Sequence, residues 1–303
     1  MRIFIFIVFL FSTAVAAHGQ ALDADFIYGR DYTFDRTVAR RTVHDADDNG
    51  TIKLVTYIYR PLKNDRHEVI LFSHGSTAGM IRSPKEPVDG PPPSLVRFFI
   101  SRGYTLVAPR RRGRAESTGT YVEECAYYLG QCTLLQQVAL TDRSLREALL
   151  DSNAVIDQLI LGRLVTRQAK IILCGISRGG FLSLMLAGER PAIVKGVINF
   201  SGGWHSVTDK YPPADNQQRL ESQTVRLARA AKQTKAPSIW IYAARDPFYN
   251  ETAPRDFLKA WREAGGVAEY FFVADHSLPS GHAVGTESSL WASQIDEFLK
   301  RLN

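Results

Sequence analysis

The stretch Ile171-Ile172-Leu173-Cys174-Gly175-Ile176-Ser177-Arg178-Gly179-Gly180-Phe181 decides the fold. Four bulky apolar residues, enough for a short buried strand, run into G-x-S-x-G, and Phe181 to Ala187 then reads as helix. Glycines on either side of a serine let the backbone turn sharply between strand and helix and leave the hydroxyl projecting above a sheet. In a chain of this composition such a match arises by chance about 0.1 times. Its position at the end of an apolar strand is what marks Ser177 as a candidate nucleophile, against the plainer reading of a small-residue turn.

Working outward, the same strand-and-helix grammar recurs on both sides. Short apolar runs at Val69–Phe72, Thr105–Ala108, Val194–Phe200, Ser238–Ala243 and Ala268–Val273 predict buried strands. Helices are predicted at Ser94–Arg102, Leu134–Leu161, Gly179–Glu189, Gln217–Gln233, Pro254–Ala264 and Glu287–Leu302. Nearer the N-terminus, Thr37–Val43 and Ile52–Tyr59 alternate in polarity around Asp48-Asn49-Gly50-Thr51, which predicts a hairpin at an antiparallel edge. The fold class is therefore α/β, with a mostly parallel sheet covered by helices on both faces. Asp45-x-Asp47-x-Asn49-Gly50 mimics the start of a calcium loop but lacks the twelfth-position Glu, where Thr56 stands. No internal repeat or linker interrupts the alternation, so residues 22–303 are expected to form one domain.

A serine nucleophile needs a base, and the base an orienting acid. Of seven His, only His205, His276 and His282 follow Ser177, where the chain order serine, acid, histidine would place the base. His282 lies in Ser280-Gly281-His282-Ala283, between the last strand and the last helix. His276 on the same loop is its rival, and His205 after Gly202-Gly203-Trp204 is expected to line the pocket. Asp246 follows a strand directly, in Tyr242-Ala243-Ala244-Arg245-Asp246-Pro247, and is the expected acid; Asp275 sits too close in sequence to either His to reach its ring. Oxyanion donors are expected from the N–H of Arg178 and from the loop Ser73-His74-Gly75-Ser76, with Ser76 favoured and Gly75 next. His74 precedes the nucleophile and is expected to shape that loop. His74, Arg112, Trp204, His205, Phe248 and Tyr249 are the candidate pocket residues.

Ser73-His74-Gly75, Arg110-Arg111-Arg112-Gly113 with Ser117 and Gly119, Gly175-x-Ser177-x-Gly179, Asp246-Pro247 and Gly281-His282 together resemble the α/β-hydrolase superfamily. The closest flavour is the dienelactone-hydrolase-like and prolyl-oligopeptidase-like serine esterases, from about residue 50 to the C-terminus. The resemblance implies the α/β-hydrolase fold, an eight-stranded sheet, and a triad of Ser177, Asp246 and His282. Two departures bear on substrate. Dienelactone hydrolases use a Cys nucleophile where this chain has Ser177, and no β-propeller precedes the domain as it does in oligopeptidases. The short segment after the sixth predicted strand leaves room for one helix, hence a minimal lid.

Composition is consistent with that class. The 303 residues are 45% hydrophobic and 22% charged, which excludes disordered and coiled-coil proteins, and a net charge of +6 is too dilute for a nucleic-acid-binding stripe. Arg2, the apolar run Ile3–Phe11 and Ala14-Val15-Ala16-Ala17 describe a signal peptide within residues 1–21, too short to span a bilayer. An exported protein, periplasmic or secreted, is expected. Export in turn favours a disulfide between Cys125 and Cys132, leaving Cys174 unpaired. Arg82, Arg110 to Arg112, Arg114 and Arg178 fall near the carboxyl ends of strands. They predict either a site that attracts an anionic ester or ordinary pairing with Glu116, Glu123 and Glu124. The expected activity is hydrolysis of a small carboxylic ester without metal or organic cofactor. A serine peptidase acting on short peptides and a non-catalytic binding protein of the same fold are the alternatives. The sequence leaves the oligomeric state open.

Overall fold

The computed structural model describes residues 32–44, 48–76, 90–114, 116–123, 133–165 and 170–302. The predicted signal peptide, Arg82, Asp45, Asp47, Glu124, and Cys125 with Cys132 lie outside the described residues.

Eight strands form one sheet: β1 (Tyr32–His44), β2 (Asn49–Pro61), β3 (Val69–Ser73), β4 (Thr105–Pro109), β5 (Ile171–Ile176), β6 (Val194–Phe200), β7 (Ser238–Ala243) and β8 (Ala268–Val273). Their order is β1-β2-β4-β3-β5-β6-β7-β8, with β1, β2 and β4 paired antiparallel and every pair from β4 to β8 parallel. This is the predicted sheet with the hairpin at its edge. Among the described residues the helices are α1 (Pro93–Ile100), α2 (Leu134–Leu161), α3 (Arg178–Glu189), α4 (Pro213–Gln233), α5 (Ala253–Glu263) and α6 (Ala292–Leu302).

The parallel strands β3 to β7 are buried on both faces because each alternates between two apolar layers, whereas the edge strand β8 is only partly covered. Ile171 and Leu173 of β5, with Trp240 and Tyr242 of β7, pack toward α2, α3, α4 and α5 through Val155, Phe181, Leu227 and Trp261. Ile172 and Cys174, with Ile239 and Ile241, pack on the other side against Phe99 of α1 and Phe298 of α6. Each such side chain contributes roughly 1.5–3 kcal/mol on burial. At the start of α2, Thr133 and Gln136 satisfy each other's backbone N–H groups in a capping box, and Gly162 follows its end.

Several boundaries differ from the sequence reading: β1 starts at Tyr32 rather than Thr37, β2 at Asn49 rather than Ile52, and α1 ends at Ile100 rather than Arg102. The hairpin turn is earlier than Asp48-Asn49-Gly50-Thr51, because His44 pairs with Asn49 and Val43 with Gly50, so both turn-type residues sit in β2. Asp48 accepts the Thr120 N–H at 2.9 Å, which draws it to a neighbouring loop. α4 starts four residues before Gln217, at Pro213, whose fixed φ suits the first helical turn. The C-terminal helix starts at Ala292 rather than Glu287: Gly281–Thr286 and Ser288–Leu290 form 3₁₀ turns, and buried Trp291 donates its indole N–H to Val284 O at 3.0 Å. A tertiary hydrogen bond thus outweighs the helical pattern there.

Candidate active site

Ser177 stands between β5 and α3 with φ 56° and ψ −126°. Non-glycine residues avoid this region, at a cost of about 1–3 kcal/mol, unless the surroundings impose it. Here they do. The Ser177 N–H is held by Phe200 O at 2.9 Å, and its carbonyl accepts from Phe181 N–H and Gly203 N–H. The flanking glycines are steric necessities: a Cβ on Gly175 would lie 2.2 Å from Gly179 O, and one on Gly179 would lie 1.9 Å from Ser73 O. The elbow therefore exists because two backbones cross too closely for any side chain. Arg178 opens α3, so its N–H belongs to the first turn, where helix donors have no intrahelical acceptor.

The second loop against the serine follows β3. A Cβ built on Gly75 would be 3.2 Å from Ser177 Cβ and 3.9 Å from its Oγ, so this loop runs directly over Ser177. His74 is buried, as its loop-shaping expectation required, and does not line an open pocket. Its Nδ1–H donates to Gly75 O at 2.8 Å and its Nε2 accepts the Arg111 N–H at 3.2 Å. Burial, and then the charges of Arg111 and Arg110, push its pKa well below the ordinary value and keep the ring neutral.

Asp246 and His282 meet on the other side. His282 Nδ1 is 2.8 Å from Asp246 Oδ2, while Asp246 Oδ1 accepts the N–H groups of Phe248 at 2.8 Å and Tyr249 at 3.3 Å. The carboxylate thus caps its own loop and orients the imidazole at once. Gly281 makes this reach possible, since a Cβ there would fall 2.0 Å from Ala244 O. The rival His276 is committed elsewhere, with Nε2–H donating to Ala244 O at 2.8 Å and Nδ1 accepting from Arg245 at 3.0 Å.

The aromatic candidates divide. Phe248 is exposed and presents to the His282 ring edge-on, centroids 4.6 Å apart. Tyr249 is buried with its ring 5.8 Å from His282, and burial followed by the Asp246 charge raises its pKa well above the ordinary value. A Cβ on Gly203 would meet the Tyr249 hydroxyl at 2.3 Å, which links the histidine side to the residue bonded to Ser177 O. Trp204 and His205 are buried rather than pocket-lining. Gln223 accepts both backbone N–H groups, and the Trp204 indole donates to Ser144 Oγ at 3.1 Å. Burial, then the neighbouring arginine charges, lower the His205 pKa to about 3.

The arginine loop does not form a cationic mouth. Arg110, Arg111, Arg112 and Arg114 are all buried. Arg112, expected in the pocket, donates to Asp151 through Nε and Nη2, both at 2.9 Å, and pairs with Glu147 at 2.6 Å. Arg111 pairs with Glu123. Glu116 instead pairs with Arg36 at 2.7 Å and accepts from Tyr57. A buried guanidinium in water-poor surroundings needs a carboxylate; Arg111 has Glu123, and Arg112 has Asp151, Glu147 and, at 3.5 Å, Asp48. The clamp formed by Arg111 and Glu123 across His74-Gly75 was not anticipated as part of the site; pairing of Glu123 with this loop was the only signal for it. Cys174 is buried and unpaired, and burial raises its pKa, so it is an inert thiol.

Comparison with known proteins agrees with this architecture. The esterase family matches residues 153–302. No curated protein matches the chain. Among solved structures, the fold is similar to an esterase of Pyrococcus furiosus (15% identity, 88% of this chain and 90% of that one, TM-score 0.56). It is also similar to Est1E of Butyrivibrio proteoclasticus, solved with ferulic acid bound (17% identity, 83% and 96%, TM-score 0.55). The acylaminoacyl peptidase of Pyrococcus horikoshii is a third (18% identity, TM-score 0.57), with 91% of this chain covering 42% of that one. The fold is that of the α/β-hydrolases, shared with these structures over 83–91% of the chain. Residues 153–302, which include Ser177, Asp246 and His282, are the part that matches the esterase family. Among the described residues no group of side chains could hold a metal ion, and no helix is long and apolar enough to cross a membrane.

Proposed function

We propose that the protein hydrolyses small carboxylic esters through an acyl-enzyme on Ser177. His282 takes the Ser177 proton as Oγ attacks the ester carbonyl, and Asp246 holds the imidazole with Nδ1 protonated so that Nε2 can accept. The carbonyl electron pair moves to oxygen, and the N–H groups of Arg178 and of Ser76 or Gly75 stabilise the negative charge. His282 then returns the proton to the departing alkoxide, and water repeats the sequence to free the acid. The observation that carries this reading is the 2.8 Å contact of His282 Nδ1 with a buried Asp246 carboxylate, on loops after β7 and β8 of the sheet whose β5 ends in a strained serine turn. Ser177→Ala is expected to lower kcat on p-nitrophenyl acetate by on the order of 10⁴–10⁶ without changing the circular dichroism spectrum, since removing a triad nucleophile leaves only binding and the oxyanion site. Activity near wild type in that variant overturns the assignment.

Small esters fit a site whose lid segment between β6 and β7 holds one helix, α4. We further propose export after cleavage within residues 1–21; N-terminal sequencing that returns Met1 or Arg2 on the mature protein overturns it.

A further inference from the structure

The serine is flanked by two loops that carry the proposed oxyanion donors, and a single carboxylate reaches both. Glu123 is buried, and its carboxylate receives the guanidinium of Arg111, Nε on one oxygen and Nη2 on the other at 3.0 Å. The same guanidinium donates through Nη1 to His74 O at 2.6 Å and through Nη2 to Gly75 O at 3.1 Å. The two carbonyls that precede the Gly75 and Ser76 amides are thereby fixed, and the direction of a peptide carbonyl sets the direction of the N–H on the far side of its plane. On the other side, Glu123 Oε2 stands 3.7 Å from Nη1 of Arg178, whose Nε donates to Trp204 O at 3.1 Å. Arg178 supplies the second donor from its own backbone.

We infer that Glu123 is a positioning residue that sets the spacing between the two halves of the oxyanion site, acting through Arg111 on the Gly75-Ser76 side and through Arg178 on the helix side. This rests on the acyl-enzyme reading above. The physical need is plain. An oxyanion donor works only within about 2.7–3.1 Å of the developing charge, and an error of about 1 Å in a reacting geometry costs roughly a hundredfold in rate. Two loops from different strand ends, β3 and β5, have no covalent reason to keep that spacing. Burial raises the Glu123 pKa, but Arg111, through its charge and hydrogen bonds, and then Arg178 and Arg114 lower it further, so the carboxyl stays ionised at neutral pH and the tie holds. A guanidinium suits the task because its planar fork can hold a carboxylate and two carbonyls at once.

The test compares wild type with Glu123→Gln, Glu123→Asp and Arg111→Lys, using p-nitrophenyl acetate and a trifluoromethyl ketone. The ketone adds Ser177 Oγ at its carbonyl carbon, the serine proton passes to His282, and the resulting oxyanion reports on the donors. Glu123→Gln is expected to lower kcat about tenfold to a hundredfold with KM within about twofold, and to weaken ketone inhibition by the same factor. Glu123→Asp is expected to fall between. A purely structural role would lower Tm while leaving kcat and inhibition of the folded enzyme unchanged, and that result overturns the inference. If Glu123→Gln does not fold, Arg111→Lys takes its place: an ammonium keeps the charge but loses the fork, so the same losses of kcat and inhibition are expected, and unchanged values overturn the inference. Fluorophosphonate labelling of wild-type Ser177 is scored first. Failure to label overturns the serine-hydrolase mechanism itself, whereas labelling with full kcat in Glu123→Gln overturns only the role of Glu123.

Discussion

Asp246 and Asp151 are equally withdrawn from solvent, each side chain only 3% exposed, yet they do different work. Asp246 faces an imidazole at 2.8 Å, a group whose second ring nitrogen is left to accept a proton. Asp151 faces the guanidiniums of Arg112, at 2.9 Å, and Arg41, at 2.6 Å, which stay charged throughout. The first pair can move a proton during a reaction; the second can only hold parts together, here β1, α2 and the arginine loop. Burial of a carboxylate is therefore not by itself a mark of catalysis. The partner decides, and Glu123 shows the intermediate case of a fixed ion pair set beside reacting groups.

The sharpest way to break this comparison is Asp246→Asn. The amide keeps the shape but favours the wrong imidazole tautomer, and kcat is expected to fall by about 10⁴ with little change in Tm. Asp151→Asn reverses the pattern. It leaves Arg112 and Arg41 short of a buried carboxylate and is expected to cost about 3–5 kcal/mol in urea unfolding, while kcat of the folded enzyme stays close to wild type. A selective loss of kcat in Asp151→Asn would collapse the distinction. The smallest effect is in pH dependence. His205 is neutral when folded, its pKa lowered to about 3 by burial, whereas the unfolded chain protonates near the ordinary value of 6.5. Below that value the unfolded state binds the extra proton, so stability is fully present above about pH 6.5 and is lost progressively as pH falls toward 3. His205→Gln is expected to flatten that decline between pH 7 and 5 in thermal unfolding. An unchanged slope would mean that burial at this position does not control titration.

Much of the fold was legible because the sheet is mostly parallel and its inner strands are buried on both faces. Such strands must be short apolar runs, and Val194–Phe200, Ser238–Ala243 and Ala268–Val273 were located to the residue. The boundaries that moved are those where a tertiary partner outweighs local pattern, as Trp291 does at the start of α6 and Asp48 does at the hairpin. In the site, Ser177 was legible because its glycines answer a local steric demand. Asp246 was legible because a residue directly after a strand has few places to point.

By itself the sequence determined the alternation of strands and helices, the serine turn and the strand ends that Asp246 and His282 follow. These are properties of neighbouring residues, fixed by apolar periodicity and by glycine's freedom from a side chain. The tertiary structure alone decided that His282 rather than His276 meets Asp246, and that Arg111 and Arg112 turn inward to Glu123, Asp151 and Glu147. The reason is that a charge pairs through space. Arg112 and Asp151 are 39 positions apart in the chain, and nothing in either residue's neighbours announces the other.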